Sequence, residues 1–167
     1  EAAARLGLRH IIITSVTRDD LPDGGASIFA STVQAIRNKN NSRIELLIPD
    51  LQGDAAALKT ITDSKPDIIG HNIETVPLLY KEVRSGASYE RSLGVIKAIK
   101  ELAPGIYSKS GIMLGLGESE KEVLQVFKDL RSMGCDFISI GQYLRPSKEH
   151  YPVKEYIEPQ KFEYYKE

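Results

Sequence analysis

Short runs rich in β-branched residues alternate with amphipathic segments along this 167-residue chain. Five runs are of this kind: 9–14, 43–48, 67–72, 108–114 and 137–142. Parallel strands need long connections between them, and these are usually helices. The alternation therefore predicts an α/β fold with a parallel sheet and helical crossovers.

The segments between the strands have the spacing of helices. They cover 24–39, 54–64, 77–84, 89–102 and 119–133, and Pro159 suits the first turn of a last helix. In the first helix, Ile28, Val33 and Ile36 are spaced to face a core. In the second, Ala55 and Leu58 lie on one side, so both helices are expected to pack against the sheet.

Two architectures satisfy this pattern, an open doubly wound sheet and part of a barrel. A complete eightfold barrel needs about 250 residues, more than this chain has. The nearly continuous apolar runs predict strands buried on both faces. The chain begins Glu-Ala-Ala-Ala-Arg without a signal-peptide pattern and stops inside a helix-like segment, so we expect both ends to be cuts.

Composition excludes several classes of partner and site. With 22 basic and 23 acidic residues the net charge is -1, which argues against nucleic acid or an anionic membrane surface as a partner. No apolar run approaches the length of a membrane span. Cys135 is the only cysteine, so the chain has no internal disulfide or cysteine-built cluster of its own, and a reducing compartment is expected.

Polar residues follow nearly every predicted strand. They occupy 14–20 and 23–25 after the first strand, 49–50 after the second, 71–74 after the third, 115–118 after the fourth and 142–147 after the fifth. Ligands of parallel α/β folds bind at the carboxyl ends of strands. The sequence therefore predicts a polar face able to hold a ligand with several hydrogen-bonding groups.

The segment from Lys109 to Glu118 runs from a strand through Gly115 and Gly117 toward a helix. Such a junction exposes bare backbone and free helix N–H groups to a ligand. The same residues also suit an ordinary loop, in which Glu118 is only an acid at the start of a helix.

Other polar residues have paired interpretations too. Asn72 and Glu74 suit the hydroxyls of a sugar, or they cap the loop before Pro77. Asp23 is either part of the polar face or an N-cap. Arg145 either grips a carboxylate bidentately or lies along the surface.

The three histidines, His10, His71 and His150, lie far apart without ligand spacing, so each is interpreted as structural or exposed. Of the three, His71 is the strongest candidate to meet a ligand. Cys135 is interpreted as a small buried hydrophobe. The chain shows no nucleophile–base pair, P-loop or metal motif. These residues by themselves lead to a parallel α/β chain with a polar ligand-binding face.

Four segments, read together, resemble the lipoyl synthase family of radical S-adenosylmethionine (SAM) enzymes. They are 13–26, 71–77, 109–118 and 141–147, and they occur in the family's order. The resemblance implies an α/β fold that is a partial (β/α)6 TIM-like barrel of the radical SAM type. Residues 1–167 would form a single incomplete domain with strands two to six, missing the first strand and the cluster loop.

The resemblance also implies a reaction. In this family a [4Fe–4S] cluster cleaves SAM, the resulting radical abstracts hydrogens from an octanoyl chain, and a second [4Fe–4S] cluster supplies sulfur to make the lipoyl group. The implied partners are an octanoylated carrier protein, either a lipoyl domain or H protein, and an electron donor such as ferredoxin or flavodoxin. The implied location is the cytoplasm, or the mitochondrial matrix or a plastid in a eukaryote.

Site residues carried over from the family fall into groups by the part of SAM they would bind. Asn72 and Glu74 would hold the ribose. The adenine end would lie on a G-x-I-x-G-x-x-E pattern formed by Gly111, Gly115 and Glu118, with Met113 in place of the isoleucine.

The remaining carried-over residues would serve the methionine part of SAM and the substrate. Thr14 and Ser15 would bind the methionine amino group, and Lys109 and Arg84 are candidates for its carboxylate. Arg145 and Ser147 would line the substrate mouth.

The chain departs from the family in the cysteines. The C-x-x-x-C-x-x-C motif, the auxiliary-cluster cysteines and the Arg-Ser-Ser-Tyr type segment are absent from these 167 residues. No catalytic or metal residue is therefore predicted here, and the chain alone is expected to be inactive. Two alternatives are a lyase or aldolase barrel, which needs a Schiff-base lysine or metal carboxylates at strand ends, and a SAM-binding module without chemistry.

Overall fold

A five-stranded parallel sheet forms the centre of the computed structural model, which describes residues 2–166. The strands are β1 (His10–Thr14), β2 (Arg43–Leu47), β3 (Ile68–Gly70), β4 (Tyr107–Leu114) and β5 (Phe137–Gln142). Their order across the sheet is their order in the chain. A doubly wound sheet reverses its order at a switch point, whereas a barrel does not, so the partial barrel is confirmed.

Helices connect the strands where the spacing predicts them. They are α1 (Ala2–Arg5), α2 (Ala26–Arg37), α3 (Ala55–Asp63), α4 (Tyr80–Val83), α5 (Tyr89–Leu102), α6 (Glu120–Ser132) and α7 (Pro159–Lys166). Short 3-10 turns lie at Leu51–Gly53 and Pro77–Leu79. Local capping fixes the starts of three helices: the side chains of Asp54, Ser88 and Ser119 accept hydrogen bonds from the first turns of α3, α5 and α6.

The hydrophobic core lies between the convex face of the sheet and the helices. Strand residues that are almost fully buried there include Ile44, Leu46, Ile69, Ile112 and Leu114, and their helical counterparts include Val33, Ile61, Ile96, Ile99 and Val126. The opposite face, called the concave face below, has a pocket whose lining contains no helix residue within 2–166. Polar and small residues on that face therefore remain available to a ligand.

Helix α2 begins two residues later than predicted. Gly24 and Gly25 have φ values of 60° and 89°, so they form a left-handed turn before the helix starts at Ala26. The carboxylate of Asp23 accepts hydrogen bonds from the N–H groups of Gly25 (2.9 Å) and Ser27 (2.8 Å). The Ser27 side chain and these two N–H bonds lower the pKa of Asp23. Asp23 thus stabilises the first turn of α2, but the N-cap position predicted for it is occupied by Gly25.

The buried faces of α2 and α3 agree with the prediction at Val33 and Leu58 but differ at one position in each helix. Ile28 is 52% exposed, and its neighbour Phe29 is buried in the core instead. In α3, Ala55 is exposed and Ala57 is buried. Because one residue along a helix turns the side chain by about 100°, a spacing that predicts the helix and most of its buried face can still misplace a single position.

Burial on both faces holds only for the middle of the sheet, so that prediction is wrong for the outer strands. In β1, Ile12 is 58% exposed, and in β5, Phe137 is 47% exposed. Each of these strands has a strand neighbour on one side only among residues 2–166.

Candidate functional site

β3 ends earlier than the sequence predicts. Its last residue is Gly70, so His71 and Asn72 lie beyond the strand. The chain returns to the sheet at Glu74, which forms an isolated parallel bridge with Ile112 of β4. The residues after β3 are therefore held against the middle of the sheet and do not extend into solvent.

A tight turn places Glu74 at this position. The N–H of Thr75 donates to the carbonyl of Ile73 (2.9 Å), and Glu74 between them has a φ of 68°. An i to i+2 hydrogen bond around a positive φ describes the rarer and strained form of γ-turn. Two backbone bonds anchor it to β4: Glu74 N–H donates to Gly111 (2.9 Å), and Met113 N–H donates to Glu74 (2.8 Å).

Asn72 and Glu74 form a polar pair on the concave face. Asn72 Nδ2 donates to Glu74 Oε1 at 3.1 Å. A Cβ atom on Gly111 would lie only 2.8 Å from Asn72 Oδ1, so the glycine allows the amide to lie directly against β4. Asn72 Oδ1 and Glu74 Oε2 form no hydrogen bond with the described residues, which leaves two acceptors for a ligand.

The pair lines a cavity of about 300 Å³ on the concave face of the sheet. Its apolar wall includes Ile12, Leu47, Met113 and Ile140, and its polar residues include Glu45, Asn72, Glu74, Lys109 and Ser139. Four predicted site residues thus meet in one cavity, namely Asn72, Glu74, Lys109 and Gly111.

Lys109 is paired with a buried carboxylate that sequence reasoning missed. Its Nζ atom lies 2.7 Å from Oε1 of Glu45, and Nε2 of His10 lies 3.1 Å from Oε2 of the same residue. The contact spans β3, in which Ile68 is in register with Glu45 and Gly70 with Lys109. A charged residue inside the apolar run 43–48 was the signal that could have found Glu45.

Thr14 and Ser15 lie apart from this cavity. They stand at the exposed end of β1 and line a separate hollow of about 140 Å³ beside Arg18 and Phe29. The hydroxyl of Ser15 donates to the carbonyl of Val16 at 2.9 Å. Their predicted contact with the methionine amino group stays a prediction.

The side chain of Glu118 closes the turn after β4 by bonding to the backbone of that turn. Both oxygens of Glu118 accept hydrogen bonds, from the N–H groups of Gly115 (2.7 Å) and Leu116 (2.9 Å). The carbonyl of Gly115 accepts from Lys154 at 2.8 Å, and a Cβ atom on Gly115 would meet the carbonyl oxygen of Glu155 at 2.3 Å. Gly115 and Glu118 therefore form a closed turn after β4, and neither residue lines the cavity.

Arg145 and Ser147 lie in an exposed loop after β5. The guanidinium of Arg145 donates to the carbonyls of His150 (2.8 Å) and Lys148, and the Ser147 hydroxyl lies 2.9 Å from Nδ1 of His150. Both side chains shape this loop, and their part in a substrate mouth stays a prediction.

His71 is structural, as interpreted for the three histidines, and although it is the strongest candidate among them to meet a ligand, it does not line the cavity. It is 1% exposed, with Nδ1 at 2.9 Å from the carbonyl of Ile48 and Nε2 at 2.9 Å from the hydroxyl of Ser92. Burial lowers the pKa of its imidazole. Arg84 likewise points to the helix side and donates to Ser92 at 2.8 Å, so it lies outside the cavity lining.

The family follows from comparison with known proteins. A profile of the radical SAM superfamily matches residues 1–130. The chain belongs to the radical SAM superfamily.

Relatives within the superfamily carry the name lipoyl synthase. That of Alkaliphilus metalliredigens (strain QYMF) is 58% identical over 167 residues, covering 99% of this chain and 58% of the relative. That of Geobacter metallireducens is 60% identical, covering 99% of this chain and 59% of the relative. This radical SAM chain therefore spans less than two thirds of the length of these relatives.

Solved structures of radical SAM proteins have the same fold. Methylornithine synthase matches with a TM-score of 0.72 at 15% identity, covering 93% of this chain and 45% of that one. Coproporphyrinogen III oxidase from Escherichia coli matches with a TM-score of 0.62 at 10% identity, covering 95% of this chain and 38% of that one. At such identities the likeness shows the fold alone, and it agrees with the partial barrel.

Radical SAM proteins use SAM and a [4Fe–4S] cluster. The cavity fits the nucleoside of SAM, because Asn72 and Glu74 offer acceptors beside a glycine backbone. Residues 2–166 contain no group of three His, Cys, Asp or Glu side chains placed for a metal ion. Burial raises the pKa of the single Cys135 thiol to about 11, which disfavours the thiolate that iron requires.

Membrane insertion finds no support in the helices. In the part of the chain from 2 to 166, none combines the length and apolar composition that crossing a bilayer requires.

Proposed function

We propose that this chain is the central part of the barrel of a lipoyl synthase, and that residues 1–167 form one incomplete domain contributing strands two to six. The 58% and 60% identities to lipoyl synthases over nearly the whole chain support this assignment. In the proposed reaction, sulfur replaces hydrogen on unactivated carbons of a protein-bound octanoyl chain. SAM with one [4Fe–4S] cluster would supply the radical, and a second cluster the sulfur.

The observation that carries the proposal is the meeting of Asn72, Glu74 and Gly111 in one cavity. The free oxygens of Asn72 and Glu74 would accept hydrogen bonds from the two ribose hydroxyls of SAM. The bare backbone at Gly111 would let the sugar approach β4 closely.

The other site residues would complete the SAM pocket. The closed turn at Gly115 and Glu118 would form a rigid edge for adenine, since its backbone is held on both sides. Lys109 would bind the methionine carboxylate and give up part of its present contact with Glu45. Thr14 and Ser15, at the end of β1, would bind the methionine amino group.

The substrate and partners follow from the same assignment. Arg145 and Ser147 would stand at the mouth where the octanoylated lipoyl domain or H protein enters. Ferredoxin or flavodoxin would donate electrons, and the reducing compartment would be the cytoplasm in a bacterium.

SAM binding by this chain tests the nucleoside site directly. In a titration of the ¹⁵N-labelled chain, SAM should shift the Asn72 side-chain amide and the Gly111 amide. Asn72→Ala should weaken binding about tenfold, the effect of losing about 1.4 kcal/mol. Asn38→Ala at the exposed end of α2 is the matched control and should leave the affinity unchanged.

The same variants test the reaction in the complete protein that contains this chain. After reconstitution with iron and sulfide, the protein should convert an octanoylated lipoyl domain to the lipoylated form, measured by mass spectrometry. Asn72→Ala should lose most of this conversion and Asn38→Ala should retain it. Absence of sulfur transfer by the unmodified protein would reject the assignment.

An aldolase-type barrel is not favoured. Lys109 is the lysine in the cavity lining, and its ammonium is paired with Glu45 at 2.7 Å, whereas a Schiff-base lysine must lose its proton to attack a carbonyl. Membership of the radical SAM superfamily points the same way.

A further inference from the structure

A series of buried side-chain hydrogen bonds lies on the helix side of β3, behind the turn that carries Asn72 and Glu74. It begins at the carbonyl of Ile48, which lies 2.9 Å from Nδ1 of His71. Because that carbonyl can only accept, Nδ1 carries the proton and Nε2 is left as an acceptor. The hydroxyl of Ser92, 2.9 Å away, then donates to Nε2.

The second half of the series connects Ser92 to the turn. Arg84 donates from the same nitrogen to Ser92 Oγ (2.8 Å) and to the hydroxyl oxygen of Tyr80 (3.1 Å). The Tyr80 hydroxyl donates to the carbonyl of Ile73 at 2.8 Å. Each donor has an acceptor, so the direction of every bond from Ile48 to Ile73 is determined.

The series ends on the carbonyl that closes the γ-turn. Ile73 precedes Glu74, and its carbonyl accepts both the Thr75 N–H and the Tyr80 hydroxyl. The buried hydroxyl of Thr75 has no hydrogen-bond partner among the described residues. Two side chains therefore bond to the backbone of this strained turn: the Tyr80 hydroxyl donates to the Ile73 carbonyl, and the Ser110 hydroxyl accepts from the Ile73 N–H at 3.2 Å. Of the two, only Tyr80 bonds to the carbonyl that closes the turn, and backbone bonds to β4 hold the turn as well.

Arg84 strengthens that support. Its guanidinium lies 5.6 Å from the centre of the Tyr80 ring and donates to the hydroxyl oxygen. A hydroxyl that accepts from a cation becomes a stronger donor, so the bond from Tyr80 to Ile73 gains strength. Burial also raises the pKa of Tyr80, which keeps the hydroxyl proton in place to donate.

We propose that Tyr80 is a positioning residue for the ligand site. Tyr80 holds the strained turn at Glu74, and His71, Ser92 and Arg84 hold Tyr80. The turn at Glu74 then presents the free oxygens of Asn72 and Glu74 to the cavity. This role rests on the proposed nucleoside site, although the support of the turn itself can be measured without a ligand.

Tyr80→Phe isolates the hydrogen bond because it removes one oxygen and keeps the ring. Its matched control is Tyr89→Phe, since Tyr89 packs edge-on against Tyr80 at 5.5 Å and is also buried, but its hydroxyl donates to Asp129. The readout is amide hydrogen exchange of the 167-residue chain. The amides of Glu74 and Met113, which anchor the turn to β4, report its opening.

The turn amides should respond selectively. In Tyr80→Phe, exchange at Glu74 and Met113 should accelerate about tenfold beyond the acceleration at the core amide of Ile99, as expected for loss of one buried hydrogen bond. In Tyr89→Phe, turn and core amides should accelerate equally. Equal acceleration in Tyr80→Phe as well would overturn the proposal. If Tyr80→Phe does not fold, Arg84→Met decides by the same ratio.

SAM titration separates this inference from the function. Tyr80→Phe should weaken SAM binding several-fold and Tyr89→Phe should not. If the unmodified chain binds no SAM, the proposed function fails while the exchange ratio still tests the support of the turn. If SAM binds both variants equally, Tyr80 does not position the site.

Discussion

The turns after β3 and β4 each bring a glutamate to the same end of the sheet, yet the two carboxylates differ in what they contact. Glu118 has both oxygens bonded to backbone N–H groups, at 2.7 and 2.9 Å. Glu74 has one oxygen bonded to the Asn72 amide at 3.1 Å, and its backbone adopts a φ of 68°.

The difference separates a residue that builds a turn from one that is available to a ligand. A carboxylate that accepts two backbone N–H bonds stabilises the loop and has little capacity left. A strained residue with a free oxygen in a cavity is typical of a binding site. The identity of the amino acid and its place after a strand are the same in both turns, so the partners alone distinguish them.

The largest expected effect comes from crowding the turn after β4. In Gly115→Ala the new Cβ would meet the carbonyl oxygen of Glu155 at 2.3 Å, and alanine would have to adopt a φ of 97°. Backbone strain and overpacking each cost about 1–3 kcal/mol, so urea unfolding should show a loss of about 2–6 kcal/mol. Gly94→Ala in α5, where a Cβ meets nothing within 4 Å, is the control and should be neutral or stabilising. A neutral Gly115→Ala would mean that this turn is not rigid.

A second experiment exchanges the two glutamates for glutamine. Glu118→Gln should lower the free energy of unfolding by about 1–3 kcal/mol, because one backbone N–H loses its acceptor. Glu74→Gln should change stability by less than about 0.5 kcal/mol but weaken SAM binding about tenfold. Urea unfolding gives the change in stability of each variant, and SAM titration gives the change in its affinity for SAM. The reverse pattern would contradict the comparison of the two turns.

The smallest effect concerns the support behind the β3 turn. Burial and the charge of Arg84 lower the pKa of His71 from 6.5, while Asp50 opposes this. As the pH falls, His71 therefore takes up a proton at a higher pH in the unfolded chain than in the folded chain. Stability from His71 is complete above about pH 6.5 and falls as the pH drops below it, by up to about 1.4 kcal/mol per pH unit.

Chemical unfolding between pH 7 and 5 measures this slope. His71→Gln should flatten it, and His150→Gln in the exposed loop should not. Carboxylates with lowered pKa values, such as Asp67 and Asp136, lose their contribution only near or below about pH 4, so they do not mask the effect. An unchanged slope in His71→Gln would show that the imidazole is not held neutral by its burial.

Much of the fold was predictable because it depends on local patterns. The strand runs, the helices between them and the hydrogen bonds of Asp23 follow from residues within a few positions of one another. The choice between Ile28 and Phe29 for the core was not predictable, since both satisfy a helical spacing and only packing against the sheet selects one.

The candidate site was predictable in part. The resemblance to a known family pointed to Asn72, Glu74 and Gly111, and the cavity brings them together. It gave no signal for Glu45, whose contact with Lys109 joins residues 64 positions apart. Such a pair forms only when the sheet order places β2 and β4 on either side of β3.

The sequence by itself determined the parallel α/β character of this chain and the positions of its polar strand ends, because strand and helix formation depends on neighbouring residues. The tertiary structure decided which polar ends face the cavity. It directed His71 toward the helices and Asn72 toward the cavity. It also bonded the Glu118 carboxylate to the backbone N–H groups of its own turn and left an oxygen of Glu74 free. Hydrogen-bond partners are chosen across strands and helices, and only the folded sheet sets those distances.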